Sequence, residues 1–254
     1  MIHSEVTPGE SESLATQSNR EFYDALWSGS RVVTPDRFNT WPLVKSLLTS
    51  SCRLEVAPGL RPRLPLEGTY FIDMSAPAVE KLRARGANAA VGQIGNLPFS
   101  DGTFHLVAAF DIIEHVDDDN AALFELSRVA AHQSTLLLSA PLHSARWTSA
   151  DDLVGHRRRY EPEVLLGKLS RYGWSVESSS IYGMQPRSSR LLDFAVWQLK
   201  HHRMRAIWWY DRIILPLAAR FQNKLEFTSG MMPTDNVDEI LLVCRRNDAI
   251  AVSG

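Results

Sequence analysis

Short apolar runs alternate with amphipathic stretches through the middle of the chain. The apolar runs predict strands at residues 53–57, 69–72, 89–91, 106–110, 135–139, 174–182 and 237–244. The stretches between them repeat apolar residues at helical spacing, which predicts helices at residues 76–85, 117–131 and 162–172. Strands that alternate with helices predict an α/β fold with a doubly wound, mostly parallel sheet covered on both faces.

Two segments lie outside this alternation. Residues 1–18 are rich in Ser, Glu and Thr and predict a frayed tail, which a helix with an aromatic face follows from Asn19. Residues 190–222 predict a helix that Pro216 should kink or divide. We therefore expect a disordered tail and an N-terminal helical cap within residues 1–50. Residues 51–254 should form one domain, with a helical insertion at 185–235.

The predicted insertion carries its apolar residues in two stripes. The main stripe repeats at steps of three and four, which is typical of one buried helix face. Its members are Ile207, Tyr210, Ile214, Leu217 and Phe221. A weaker stripe consists of Leu191, Phe194 and Gln198.

Composition narrows the class of protein. The 254 residues are 44% apolar and 22% charged, as in globular domains, which excludes a disordered or fibrous chain. The net charge of -2 gives no overall field that attracts nucleic acid, so no nucleic-acid partner is expected. The longest apolar runs fall far short of the roughly 20 residues that span a bilayer.

The ends and the cysteines indicate the compartment. The N-terminus is polar and acidic, without a secretion signal. Cys52 and Cys244 lie far apart and form no metal-ligand pair, so no metal site is predicted. We expect a cytoplasmic, reduced protein, with peripheral membrane association left open.

The near-zero charge hides a basic, aromatic segment. Between Pro186 and Glu226 there are eight basic and three acidic residues, a local charge of +5 against -7 for the rest of the chain. Three tryptophans fall in the same segment. Three interpretations stay open for residues 190–222: packing on the parent domain, a homodimer interface, or docking on an anionic membrane surface. The last would suit a lipid-linked substrate.

Ligands of doubly wound sheets bind outside the carboxyl ends of the strands. The residues that follow the predicted strands there are Glu55 to Arg61, Asp73, Gly92 to Asn96 and Asp111 to His115. Gly59 permits a sharp turn that a ligand can approach closely. An acid at Asp73 suits the two hydroxyls of a ribose, although it could equally cap the next helix beside Ser75.

The tract from Gly92 to Val116 carries a more specific pattern. Leu97-Pro98-Phe99 precedes the strand that ends at Asp111, and Ile113-Glu114-His115-Val116 follows it. With the turn after the first strand, this resembles the class I S-adenosylmethionine-dependent methyltransferases, in the subgroup that methylates small molecules, quinones and sterols. The resemblance runs from about Arg53 to Gly173.

The resemblance implies a fold, a cofactor and a set of roles. It implies a seven-stranded sheet of order 3-2-1-4-5-7-6 whose last strand is antiparallel, and S-adenosyl-L-methionine as the cofactor. Glu55, Ala57 and Gly59 would line the methionine end of the cofactor. Asp73 would bind the ribose, and Met74, Gln93 and Ile94 would flank the adenine. Asp111 and Ile112 would lie under the sulfonium, and Tyr23 and Trp27 would cover the pocket.

Two positions depart from the family pattern. Of the three glycines usual after the first strand, only Gly59 is present, since Ala57 and Arg61 occupy the outer positions. Gln93 replaces the usual acid beside the adenine, although its carbonyl can still accept a hydrogen bond. A degenerate protein that senses the cofactor or serves as an interaction module is therefore the alternative to an enzyme. The lost glycines and the Leu-Pro-Phe tract argue against a nicotinamide oxidoreductase.

Candidate catalytic and substrate residues follow from position. A base is needed where the methyl acceptor carries a tightly held proton. The candidates are His115 and His143, which follow predicted strand ends, with Glu114 and Asp111 as alternatives. The segment Gly155-His156-Arg157-Arg158-Arg159-Tyr160 resembles a loop that lies over the substrate mouth in a branch of this family. His156, Arg158, Arg159 and Tyr160 would then bind the substrate, or the arginines would pair with Asp151, Asp152 and Glu161. The predicted reaction is methylation, at oxygen, of a small-molecule or lipid-linked acceptor.

Overall fold

The computed structural model describes residues 13–49, 52–183, 197–198, 201–220 and 222–247. Its strands are β1 (Arg53–Val56), β2 (Thr69–Asp73), β3 (Asn88–Val91), β4 (Phe104–Ala109), β5 (Ala130–Pro141), β6 (Trp174–Ile181), β7 (Thr228–Ser229) and β8 (Glu239–Arg246). Its α-helices are α1 (Leu14–Gly29), α2 (Trp41–Ser46), α3 (Ala76–Arg83), α4 (Asp119–Val129), α5 (Ser149–Val154), α6 (Pro162–Arg171), α7 (Arg203–Trp209) and α8 (Leu215–Arg220).

The strands form one sheet of order β3-β2-β1-β4-β5-β8-β6-β7. The pairs from β3 to β5 are parallel, and β8 runs antiparallel to both β5 and β6. The predicted α/β class and the antiparallel last strand are confirmed. The prediction of seven strands was wrong by one, because the two-residue β7 adds to the outer edge of β6. A strand that short has no apolar period from which it could be predicted.

The core lies on both faces of the sheet. Along β4, Val107 and Ala109 pack on the side of α4 and α6, whereas Leu106 and Ala108 pack with Val44 of α2. Successive side chains of a strand point to opposite faces, so a strand covered on both sides is apolar throughout. This explains why the central strands are readable as continuous apolar runs.

Helix α1 lies across the carboxyl edge of the sheet and is anchored at both ends. It starts at Leu14, five residues before the prediction, because Ser13 caps it by accepting from the Thr16 N–H at 3.2 Å. The Ser13 hydroxyl also donates to Asp117 at 2.6 Å. At the other end, the Lys81 ammonium donates to three carbonyls of the chain from Trp27 to Ser30, at 2.7–2.8 Å. Residues 1–12 of the predicted tail lie outside the described residues.

The insertion does not follow the predicted stripe. A π-helical turn, Tyr210–Ile214, separates α7 from α8 just before Pro216. The wider turn accommodates one extra residue, so Ile207 and Leu215 share the buried face, while Ile214 and Leu217 are more than half exposed. Proline clashes with the carbonyl four residues earlier, and that residue, Arg212, lies within the π-turn. Phe221, Leu191 and Phe194 lie outside the described residues.

Candidate active site

The turn after β1 and the end of β2 are joined through Asp73. The Gly59 N–H donates to one carboxylate oxygen of Asp73, and the Ser75 N–H donates to the other, both at 2.8 Å. Asp73 is 5% exposed, and burial raises the pKa of its carboxyl to about 6. The backbone of Gly92 bonds to the Asp73 carbonyl, which ties the turn after β3 to the same edge.

Aromatic side chains of α1 cover this turn. A β-carbon at Gly59 would come within 2.2 Å of the Trp27 ring, so the indole lies directly on the glycine backbone. Tyr23 stacks on Trp27, with ring centroids 6.1 Å apart. The Arg61 guanidinium lies over Trp27 on one side and over Tyr210 of the insertion on the other, at 5.2 and 4.8 Å. Arg61, one of the positions that depart from the family pattern, therefore links α1, the turn after β1 and the insertion.

The backbone of the turn is left-handed at two residues. Gly59 has φ of 54° and Ala57 has φ of 55°. Glycine adopts this region freely, whereas a residue with a β-carbon pays roughly 1–2 kcal/mol there. The methyl group of Ala57 is therefore accommodated sterically but at a conformational cost.

Glu55 is committed to the loop that follows β1. Its carboxylate accepts from the N–H groups of Arg63 and Leu64 at 2.8–3.0 Å. Burial raises the pKa of Glu55 to about 7, against the opposing effect of these bonds. Arg63 in turn donates to the Tyr182 hydroxyl and stacks over Phe38.

The remaining predicted cofactor residues lie at the same edge. Met74 follows Asp73 and is half-buried, Gln93 is exposed, and Ile94 is buried in the main core. Asp111 and Ile112 follow β4. Asp111 has φ of 50°, a conformation that aspartate tolerates better than most residues, and its carboxylate accepts from the Ser139 hydroxyl at 2.5 Å.

A buried cluster lies beyond Asp111, formed by Glu114, His115 and His156; we call it the EHH cluster. The His115 and His156 rings meet edge to face at 4.6 Å, and His156 Nε2 lies 3.8 Å from Glu114 Oε1. Burial and the charge of Asp111 raise the pKa of Glu114 well above its ordinary range. Burial and His156 lower the pKa of His115 to about 3, so its imidazole is neutral at pH 7.

Tyr23 connects the EHH cluster to the Asp73 turn. Its ring packs edge to face on His115 at 5.7 Å and also stacks on Trp27. Burial and the charges of Glu114 and Asp111 raise the pKa of the Tyr23 phenol, and Asp73 adds to the effect. The Tyr23 ring thus lies between the EHH cluster and the turn that Asp73 holds.

The predicted substrate loop is held by internal pairs. Arg159 is buried and bonds Asp151 through two nitrogens at 3.0 Å, and the Tyr160 hydroxyl donates to Asp119 at 2.8 Å. Arg158 pairs with Asp119 at 3.1 Å. Of the predicted acid partners, Asp151 is therefore the main one, and the arginines are not a free clamp in this conformation. Of the four predicted substrate residues, only His156 belongs to the EHH cluster.

His143 lies apart from these groups. Its Nε2 bonds to the Thr234 carbonyl at 2.8 Å, and its Nδ1 lies 3.7 Å from Glu161. Sequence reasoning considered Glu114 only as an alternative base, and it missed Asp151 as the partner of His156. Forty-one residues separate His115 from His156, and no local spacing signals that they meet.

We expect Gly59→Ala to destabilise the protein more than Gly102→Ala does. Both glycines have positive φ, at 54° and 63°, but a β-carbon at Gly102 meets nothing within 4 Å. Gly102→Ala should cost the conformational term of about 1–2 kcal/mol, and Gly59→Ala should add the overlap with Trp27. Urea unfolding measures both. Equal losses would contradict the placement of Trp27, whereas adding Trp27→Ala to Gly59→Ala should reduce the overlap cost.

Part of the chain is similar in sequence to known methyltransferases. Residues 56–138 match the family model of a methyltransferase domain. Over 63 residues the chain is 40% identical to norajmaline N-methyltransferase of Rauvolfia serpentina, a match that covers 25% of this chain and 22% of that protein. The chain thus spans about a fifth of the length of this relative.

Two solved structures share the fold. One is a methyltransferase of Thermotoga maritima, described as S-adenosylmethionine-dependent and as a possible histamine N-methyltransferase; its TM-score is 0.57 at 14% identity, over 92% of this chain and 96% of that one. The other is the [4+2]-cyclase SpnF, with a TM-score of 0.51 at 16% identity, over 82% and 80%. Its different named reaction illustrates that the fold alone does not fix activity. Residues 56–138 are thus similar to a methyltransferase domain, and the chain shares its fold with solved methyltransferases.

Proposed function

We propose that the protein transfers a methyl group from S-adenosyl-L-methionine to a hydroxyl of a small-molecule or lipid-linked acceptor. The proposal rests on the edge formed by Asp73 and the Gly59 turn, which the Tyr23 ring connects to the buried EHH cluster. The methyltransferase domain match supports the reaction type.

The chain's own groups fit this cofactor. Each Asp73 oxygen accepts one backbone N–H and keeps a lone pair, so the carboxylate can also accept two ribose hydroxyls. The bound cofactor supplies an electrophilic methyl group on its sulfonium. We assign Glu55, Ala57 and Gly59 to its methionine end, Met74, Gln93 and Ile94 to the adenine, and Asp111 and Ile112 to the sulfonium side. Tyr23 and Trp27 exclude water from above.

The EHH cluster supports oxygen as the methylated atom. A hydroxyl must lose its proton as the new bond forms, whereas a neutral amine reacts without a base in advance. The predicted base His115 lies in this cluster, beside the proposed sulfonium site, and its imidazole is uncharged at pH 7. The names of the Rauvolfia and Thermotoga proteins describe N-methyltransferases, so amines are the competing class of methyl acceptor.

Cofactor binding should depend on pH through Asp73. Below its pKa of about 6 the carboxyl is protonated, and it then accepts hydroxyls less well. Affinity should fall by up to tenfold per pH unit below about 6 and level off above it. Isothermal titration with S-adenosylmethionine and S-adenosylhomocysteine, from about pH 5 to about pH 8, measures this change of affinity.

Asp73→Asn separates this effect from neighbouring titrations. Asp24, Glu55, Tyr23 and Arg61 also act on this part of the edge. The variant should bind roughly 10–100-fold more weakly, since hydrogen bonds to a charged group contribute about 1.5–3 kcal/mol, and its affinity should lose the slope near pH 6. Asp36→Asn, an exposed acid on the turn before α2, is the control. Unchanged binding in Asp73→Asn would sink the ribose assignment.

A screen of acceptors tests the reaction itself. Pools of phenols, hydroxylated lipids and amines are incubated with the protein and labelled cofactor, and mass spectrometry locates the added methyl. We expect methyl ethers as products. Methylated amines alone would refute the oxygen assignment. Tight cofactor binding without transfer to any pool would favour the alternative, a cofactor-sensing module.

We further propose that the outer face of the insertion contacts an anionic membrane surface. Ile207 and Leu215 pack inward, and Asp211 accepts from the Arg31 N–H at 2.8 Å, which fixes the insertion on the parent domain. Outward lie Trp208 and Trp209, 45% and 50% exposed, with exposed arginines around them. Tryptophan with arginine suits the interface of acidic lipids. No helix in the described ranges is long and apolar enough to span a bilayer.

Vesicle co-sedimentation tests this surface. Wild-type protein should bind phosphatidylserine vesicles, bind neutral vesicles less, and release with salt. Replacing both Trp208 and Trp209 with Ala should weaken binding about fivefold or more. Phe124→Ala, an equally exposed residue on α4, should not. Failure to bind, together with concentration-dependent size in solution, would instead favour a homodimer through residues 190–222.

A further inference from the structure

We propose that the EHH cluster, Glu114, His115 and His156, binds a divalent first-row transition metal ion. The inference starts from geometry. One ligand atom from each of the three side chains lies within 4.8 Å of the other two. Around an ion with bonds of about 2.0–2.2 Å, ligand atoms lie about 3–3.5 Å apart, so a small inward movement of the side chains completes the site.

Glu114 supplies an independent observation. Its side chain is 1% exposed, and neither carboxylate oxygen accepts a hydrogen bond from another residue. A buried carboxylate without hydrogen bonds is costly, and buried charges are ordinarily paired or coordinate metals. The two histidines face this oxygen pair, so a cation between them would satisfy Glu114.

His156 is held in the orientation that metal ligation requires. Its Nδ1 donates to Asp151 at 2.7 Å, which leaves Nε2 with a free lone pair on the side of Glu114. Metal-binding histidines commonly donate their second nitrogen to a carboxylate in this way, which fixes the tautomer and the ring. Asp151 is itself fixed by Arg159 at 3.0 Å.

The two segments that carry the cluster are fastened to each other. The Arg157 N–H donates to the Glu114 carbonyl at 2.8 Å, and the Arg157 side chain donates to the His115 carbonyl at 3.1 Å. The loop before α6 is thereby docked on the turn after β4. The ligands are preorganised by contacts that do not involve the ion.

The donor set indicates the kind of ion. Two imidazoles and one carboxylate favour Mn²⁺, Fe²⁺, Co²⁺ or Zn²⁺ over Mg²⁺ or Ca²⁺, which prefer oxygen ligands. Three protein ligands leave coordination positions for an exogenous oxygen. Asp111 adds negative charge beside Glu114.

A role in the reaction follows if the proposed function holds. A hydroxyl of the acceptor bound to the ion releases its proton to solvent more readily, because a divalent cation stabilises the alkoxide. The oxygen then takes the methyl group as the sulfur–methyl bond breaks, and the sulfur keeps that electron pair. Metal binding itself does not depend on this role.

Titration with Mn²⁺ and Co²⁺ in the absence of cofactor tests the site. Electron paramagnetic resonance of Mn²⁺ and the visible spectrum of Co²⁺ should report one bound ion per chain. Glu114→Gln and His156→Gln should each weaken binding at least tenfold. His105→Gln, an exposed histidine on β4, should bind as the wild type does.

Stability measurements guard against misfolded variants. The amide of Glu114→Gln replaces a buried carboxylate without hydrogen bonds, so this variant should melt no lower than the wild type without metal. Metal should raise the melting temperature of the wild type and of His105→Gln, but not that of Glu114→Gln or His156→Gln. Absence of Mn²⁺ and Co²⁺ binding, or equal binding in all variants, would overturn the site. Ion binding with chelator-resistant methyl transfer would overturn only its role in the reaction.

Discussion

The burial of carboxyl groups at one edge of a parallel sheet is the constraint on which the site depends. Parallel pairing from β3 to β5 brings the carboxyl ends of the strands together, and Glu55, Asp73, Asp111 and Glu114 lie in or just after those strands. Each buried carboxylate is costly unless hydrogen bonds offset its desolvation. Backbone N–H groups satisfy Glu55 and Asp73, and Ser139 serves Asp111. Of these four carboxyl groups, only Glu114 lacks a hydrogen bond from another residue, which is why we propose the cation site there.

Helix α1 and the insertion close this edge from above. Lys81 fixes the carboxyl end of α1, and Asp117 holds its first turn. Arg61 contacts both Trp27 and Tyr210, so this one cation links the turn after β1 to the insertion. Arg61, which departs from the glycine pattern of the methyltransferases that the sequence resembles, is thus the residue that joins the insertion to the turn after β1.

The sequence was most informative where a residue's role depends on its neighbours in the chain. Continuous apolar runs predicted the central strands because those strands are covered on both faces, and Asp73 was found because it ends one of them. The stripe in the insertion was wrong because a π-turn, induced next to Pro216, changes the helical period that the prediction assumed. The substrate arginines could not be assigned, because their partners Asp151 and Asp119 are chosen by the packing of α5, α6 and the loop between them.

Local pattern alone determined the alternation of strands and helices and the resemblance to a methyltransferase, and it predicted the carboxyl edge as the ligand side. These depend on hydrophobic period and on residues that follow one another. Only the tertiary structure decided that Trp27 lies on Gly59, that Glu114 has no hydrogen-bond partner, and that His156 turns its free nitrogen toward it. Such contacts join residues dozens of positions apart. They arise from the way in which α1, the turn after β4 and the loop before α6 pack together. The spacing of residues along the chain does not show which of these segments will meet.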